Sequence, residues 1–177
     1  EAAFQTVDDI ATDPRLSKLN AIVFLQLKEK GRAKGKFHSV PSPDVYRQLM
    51  QHCEERGVGY GFDSCSAPLF FRGIAGHPRQ AEFEQMAEPC ESGLFSSYIN
   101  SEGFFFPCSF SENEGEWVEG IDVLHCDDFV EDVWNHPRVE AWRDNIIPSS
   151  QGCDCPSKHL CRSCPIFDVT PCKAVAQ

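Results

Sequence analysis

The sequence has few long apolar stretches and only 2 methionines. Its longest uninterrupted apolar run, residues 21–25, is far shorter than the roughly 20 residues that a membrane-spanning helix needs. The first residues lack the basic start and apolar stretch of a secretory signal. The chain begins with Glu1 rather than Met, so we expect it to be a portion of a longer protein. These absences predict a cytoplasmic protein with no membrane partner.

Positive charge is also scarce, and the net charge is −11. Residues 73–135 carry 14 Asp and Glu but one basic residue, Arg79. Such a surface repels a phosphate backbone, which argues against a nucleic-acid partner. The opposite bias occurs in residues 28–36, where five of nine side chains are Lys or Arg. This run predicts a solvated loop or, alternatively, a contact with an anionic group at the end of a strand.

Residues 1–71 alternate between helical and strand patterns. A helical period predicts a helix over residues 3–12, and the apolar run predicts a strand over residues 20–28, buried on both faces. The next helix begins with an N-cap at Ser42 and ends at Gly57. Cys53 lies on its apolar stripe, so we expect it in the core. Residues 58–62 predict a second parallel strand.

Residues 72–177 have a different character. Residues 78–87 predict a short helix, and residues 96–106 a β-hairpin in which Gly103 takes a positive φ. Two short helices are expected over residues 127–134 and 137–147. The tail from residue 152 has no periodicity, so something other than apolar burial must order it.

The predicted fold class is therefore α/β. Residues 1–71 read as the last β/α units of a partial (β/α) barrel. Residues 72–177 read as a small cysteine-rich domain with a β-hairpin and short helices. In barrels of this kind the active face lies where strands end, and Asp63 and Cys65 follow the second strand. Asp63 is interpreted as a turn-forming residue, with a role at the site as the alternative.

Ten cysteines stand out in a chain without marks of export. In a reducing compartment, cysteines at short spacing bind metal more often than they form disulfides. The tail contains the pattern Cys153-x-Cys155-x5-Cys161-x2-Cys164-x7-Cys172. Cys65, Cys90 and Cys108 lie upstream, and one zinc site in the tail would leave these three unexplained. Thiolates are soft ligands that bind zinc and iron–sulfur clusters equally well, so the ligand type alone does not decide between these two metals.

The cysteine pattern resembles the SPASM carboxy-terminal region of radical SAM enzymes. That region has a G-x4-C element on a hairpin, matched here by Gly103 and Cys108, and then a run of cysteines with an x5 gap, matched by Cys155 and Cys161. Two other gaps of the run are each one residue shorter here. Residues 24–28 and 31–32 resemble the closing strands of the radical SAM barrel, so the resemblance covers nearly the whole chain.

The resemblance implies two auxiliary [4Fe–4S] clusters whose ligand sets cross, because one tail cysteine binds the first cluster and the other tail cysteines bind the second. We call this arrangement crossed wiring. The first cluster would take Cys65, Cys90, Cys108 and Cys164. The second would take Cys153, Cys155, Cys161 and Cys172. Cys126 is then a spare or, alternatively, a replacement ligand. With four thiolates each, the clusters would leave no iron open and would serve electron transfer or structure.

The resemblance further implies an oxidoreductase-type radical SAM enzyme that modifies a peptide or protein and binds S-adenosylmethionine in its complete form. The C-x3-C-x2-C loop of the radical cluster is absent here, so we expect this segment to be inactive alone. It would need an amino-terminal radical SAM half or an electron donor as a partner. No catalytic residue is assigned. The alternative is a non-catalytic zinc module used for interaction or structure.

Overall fold

A computed structural model describes residues 1–38, 42–147 and 156–166. The described helices are α1 (Ala2–Thr12), α2 (Pro43–Arg56), α3 (Ala67–Ile74), α4 (Gln80–Phe83) and α5 (Pro137–Ile146), with a π-helix at Phe129–Trp134. The strands are β1 (Ile22–Phe24), β2 (Tyr60–Phe62), β3 (Tyr98–Ile99), β4 (Phe104–Phe106) and β5 (Ile121–Asp122). Short 3₁₀ turns lie at Pro14–Leu16, Gly31–Ala33, Glu84–Met86, Gly115–Trp117 and Pro156–His159. Within these ranges, no helix is long and apolar enough to cross a membrane.

The chain is a mixed α/β protein with two small sheets. β1 and β2 pair in parallel, with Ile22 opposite Tyr60. β3, β4 and β5 form an antiparallel sheet in chain order. The described strands do not close into a barrel.

The first core lies between the parallel sheet and the helices α1–α4. Its largest buried side chains include Phe62, Phe70 and Phe83, and the rings of Phe62 and Phe70 stack with centroids 4.4 Å apart. Cys53 belongs to this core and is fully buried, as its place on the helical stripe predicts. α3 runs through the expected boundary at residues 71 and 72, and residues as far as Ala87 pack on this core.

The helix α2 follows its sequence signals closely. The Ser42 side chain accepts a hydrogen bond from the Asp44 amide at the first turn. Gly57 ends the helix in the left-handed conformation, with φ of 67°. The capping pattern thus confirms the predicted bounds.

The prediction that the first strand is buried on both faces is wrong. Ile22 and Phe24 pack on the first core, but Val23 and Leu25 are 58% and 72% exposed. Helices cover only one face of the two described strands, so the alternate side chains face outward. The strand itself is also shorter than residues 20–28.

The second core lies between the antiparallel sheet and the helices that follow it. It is aromatic, with Phe105, Phe106, Trp117 and Trp142 all buried. The predicted hairpin is confirmed, and Gly103 has φ of 84° at its turn. This φ favours glycine at the turn.

Candidate metal centre

Four cysteines that are far apart in the sequence line one cavity between the two cores. They are Cys65, Cys90, Cys108 and Cys164. The remaining walls are mainly apolar, with Phe110 and Trp142 among them. These four are the set that the resemblance assigns to the first cluster.

The cavity is small. About 30 Å³ of it admits the centre of a water molecule, where one such probe needs roughly 10–15 Å³. Organic ligands in proteins occupy roughly 300–1,000 Å³. The space therefore suits a compact inorganic group better than an extended organic molecule.

Cys65 enters the cavity from the turn between β2 and α3. Burial raises the pKa of its thiol to about 11, and the positive charge of Lys28 acts in the opposite direction. A thiol with this pKa holds its proton at neutral pH, so binding a metal there must release a proton. Cys65 is thus an unreactive thiol until a metal or cluster stabilises its thiolate.

Cys90 and Cys108 share a local hydrogen-bond pattern. The Phe110 amide donates to the Cys108 sulfur over 3.4 Å, two residues further along the chain. The Ser92 backbone bonds to Cys90 at the same spacing, which opposes the effect of burial in raising the pKa of that thiol. Hydrogen bonds from backbone N–H groups stabilise thiolates and tune the clusters that thiolates hold. Each loop therefore offers one backbone hydrogen bond to its cysteine, while burial still favours the neutral thiol of Cys90.

The tail segment 156–166 brings Cys164 to the cavity by contacts to both cores. Leu160 packs on the first core, and the Ser157 hydroxyl donates to the Glu84 carboxylate over 2.6 Å. Ile166 packs on the second core, and the Ser163 hydroxyl donates to the Asn145 carbonyl over 2.8 Å. The tail thus bridges the two halves of the molecule at the cavity.

Cys161 and Cys164 lie in different surroundings, although only two residues separate them. Cys161 is buried, with 8% exposure, and does not line the cavity. Crossed wiring requires this division, because it sends the two cysteines to different clusters. The other expected ligands of the second cluster, Cys153, Cys155 and Cys172, lie outside the described residues, so that set stays a prediction.

The remaining two cysteines stand apart from the cavity. Cys53 is in the first core, where burial raises the pKa of its thiol to about 11. Cys126 lies at the edge of the second core, and its thiol donates to the Val123 carbonyl over 3.4 Å. Neither lines the cavity.

Within the described ranges, His, Cys, Asp and Glu side chains form no group of three or more that could hold a single metal ion. A single zinc ion with Zn–S bonds of about 2.3 Å brings its sulfur ligands within about 4 Å of one another. In an iron–sulfur cluster the thiolates bind different irons, so they stand further apart. The described residues therefore place four cysteines around one cavity but form no mononuclear site, and the choice of an iron–sulfur cluster over zinc stays a prediction.

A second, wider cavity of about 620 Å³ opens beside the first. Cys65, Cys90 and Cys108 line both cavities, and the wider one is also bordered by Lys28 and Asp63. Its volume falls within the range of small-molecule and side-chain pockets. A molecule bound there would lie against the cysteine cavity.

The carboxylate of Asp63 organises the turn at the end of β2. It accepts hydrogen bonds from the backbone amides of Ser66, at 2.9 Å, and Gln26, at 3.2 Å. It also forms an ion pair with Lys28, whose side chain is only 9% exposed. The interpretation of Asp63 as a turn-forming residue is confirmed.

The basic run 28–36 divides between its two expected roles. Lys28 meets the anionic Asp63, and the Lys30 ammonium donates to the carbonyl groups of Phe110 and Glu112. Lys34 and Lys36 are exposed, as in a solvated loop. Sequence reasoning treated the run as one unit and so missed that Lys28 is a buried part of the site. The only available signal was its position at the carboxyl end of a strand.

No family model, no curated protein and no solved structure matches the chain. The resemblance to the SPASM region therefore stays a prediction from the sequence pattern.

Proposed function

We propose that this chain is the cluster-binding portion of a radical SAM enzyme that modifies a peptide or protein. Its first [4Fe–4S] cluster would be held by Cys65, Cys90, Cys108 and Cys164. The observation that carries the proposal is that these four cysteines, separated by up to 99 positions in the sequence, border one cavity. Such a cluster would pass electrons or brace the two cores.

The wider cavity is the proposed place for the substrate. It lies against three of the four cysteines and is lined by five serines, and its charged residues are Lys28, Asp63, Glu88 and Glu91. A peptide segment in an extended form could enter with one side chain facing the cysteines. A second cluster on the tail cysteines remains part of the proposal.

The exposed side of β1 is the proposed contact with an amino-terminal barrel half. Val23, Leu25 and Leu27 are exposed at alternate positions, which makes an apolar face. β1 pairs with β2 on one edge, and the described strands leave its other edge open. Parallel sheets are normally covered on both faces, so the exposed apolar face is expected to have a cover. A further β/α unit, whose strand would pair in parallel with the open edge of β1, would belong to the half that supplies this cover. S-adenosylmethionine and its C-x3-C-x2-C loop would belong to that half.

The test of the proposal is the metal and acid-labile sulfide content of protein purified without oxygen. We expect brown protein with broad absorption near ~400 nm and about 8 Fe per chain when both four-iron clusters form, or about 4 when only the first does. The purified segment should not form 5′-deoxyadenosine from S-adenosylmethionine under a strong reductant. Colourless protein with stoichiometric zinc and no sulfide would replace the proposal with the zinc module.

A further inference from the structure

Lys28 is a buried cation placed beside a proposed cluster ligand. Lys28 lies four residues after the end of β1, its side chain is 9% exposed, and it forms an ion pair with Asp63. Its ammonium nitrogen lies 5.3 Å from the centre of the Phe110 ring, which lines the cysteine cavity. Lys28 and Cys65 also border the same wider cavity, and Asp63, the ion-pair partner of Lys28, lies two residues before Cys65. Burying a lysine costs free energy unless its charge is paired, and Asp63 provides that pairing here.

The partners of Lys28 leave its charge available to Cys65. An ammonium group has three donors, and the ion pair with Asp63 takes one direction. Asp63 is independently held as a turn acceptor by the Ser66 and Gln26 amides, so its position does not depend on Lys28 alone. The ion pair with Asp63 favours the charged form of Lys28, so Lys28 is a cation in the neutral range.

We propose that Lys28 is a positioning residue that sets the reduction potential of the first cluster through the sulfur of Cys65. The proposal goes beyond the proposed function and rests on it, because it requires the cluster to be present. Cluster potentials depend on net charge and on hydrogen bonds to the sulfurs. Reduction adds negative charge, so a nearby cation favours the reduced form, and it does so more strongly in a buried, weakly polar setting. Lys28 thus raises the potential.

The neighbouring lysines separate this role from a general effect of charge. Lys34 is exposed on the same loop, and replacing it removes one positive charge far from the cysteine cavity. Lys34→Met is therefore the matched control for Lys28→Met. Lys28→Arg keeps the charge and the donor groups, and it tests whether they suffice.

The experiment is a potentiometric titration of anaerobically reconstituted protein, followed by electron paramagnetic resonance of the signal that Cys108→Ala removes. We expect Lys28→Met to shift the midpoint potential to a more negative value, Lys28→Arg to restore most of the shift, and Lys34→Met to match the wild type. Lys28→Met leaves Asp63 unpaired, so the double variant Lys28→Met/Asp63→Asn should show a smaller negative shift. The double variant also carries the test if Lys28→Met fails to assemble a cluster.

The proposal is overturned if the variants that lack Lys28 hold the cluster at the wild-type potential. A shift in Lys34→Met equal to that in Lys28→Met overturns it as well, because the effect would then be one of total charge. Wild-type protein without iron or sulfide would instead remove the proposed function itself, so the two failures are distinguishable.

Discussion

The two halves of the molecule are stabilised in different ways. In the described residues, the first half buries 12 side chains in one core beneath a parallel sheet, and its long helix α2 is capped at both ends. The core of the second half has seven buried members in the same described residues. A small core gives little independent stability. From this comparison we expect the first half to fold by apolar burial alone, whereas the second half would also depend on the proposed metal centre.

The largest expected effect follows from removing the metal. Chelation under reducing conditions should abolish hydrogen-exchange protection in the β3–β5 sheet and α5, while α2 and α3 keep theirs. The reason is that metal-binding free energy is folding free energy for a segment that cannot order itself otherwise. The measurement is hydrogen exchange with mass spectrometry before and after chelation.

Two results of that experiment would contradict the proposed difference between the halves. Loss of protection in both halves together would show that they fold as one unit. Unchanged protection in the second half would show that its aromatic core is sufficient without metal.

A smaller effect is expected from a truncation in the first core. Phe70→Ala should lower the free energy of unfolding by about 3–5 kcal/mol, because Phe70 is fully buried and stacked on Phe62. Denaturant unfolding of the metal-free protein measures this loss. Phe95→Ala is the matched control, since Phe95 is 84% exposed and its loss should change stability by less than about 0.5 kcal/mol.

The Phe70→Ala variant also tests whether the first half has a packed core without metal. A loss below about 1 kcal/mol for Phe70→Ala would mean that the metal-free protein has no packed core around this ring. The distinction between the two halves would then disappear.

The first half was the more predictable of the two, and the reason is local. Ser42, Pro43 and Gly57 carry capping information within a few residues, and the stripe of α2 places Cys53 in the core. The hairpin was predictable for the same reason, because its turn requires a positive φ and glycine at position 103 adopts one easily.

α3 and β5 were missed for lack of such signals. α3 has only eight residues and seven of them are buried, so its polar face consists of Arg72 alone. Its Gly73 approaches the backbone of Pro43, a contact that no local pattern encodes. β5 has two residues and exists only through its pairing with β4. Its formation depends on the tertiary fold.

The resemblance to the SPASM region assigned Cys65, Cys90, Cys108 and Cys164 to one set from the sequence, and these four cysteines border one cavity. Their role as metal ligands stays a prediction. The surroundings of the four cysteines were not predicted. The approach of Lys28 and Trp142 to that set depends on how the two cores meet. Only the three-dimensional structure contains that information.

The central claim is that Cys164 serves the same cluster as Cys108, although it lies two residues from Cys161. The most direct measurement is Mössbauer spectroscopy and iron content of four single variants, Cys108→Ala, Cys164→Ala, Cys161→Ala and the control Cys126→Ala, together with the double variant Cys108→Ala/Cys164→Ala. We expect Cys108→Ala and Cys164→Ala to lose the same spectral species, and the double variant to lose little more, because changes at one site are not additive. Cys161→Ala should remove a different species, and Cys126→Ala should remove none. If Cys161→Ala and Cys164→Ala abolish one common species that Cys108→Ala leaves intact, the tail is a self-contained site and the account is contradicted.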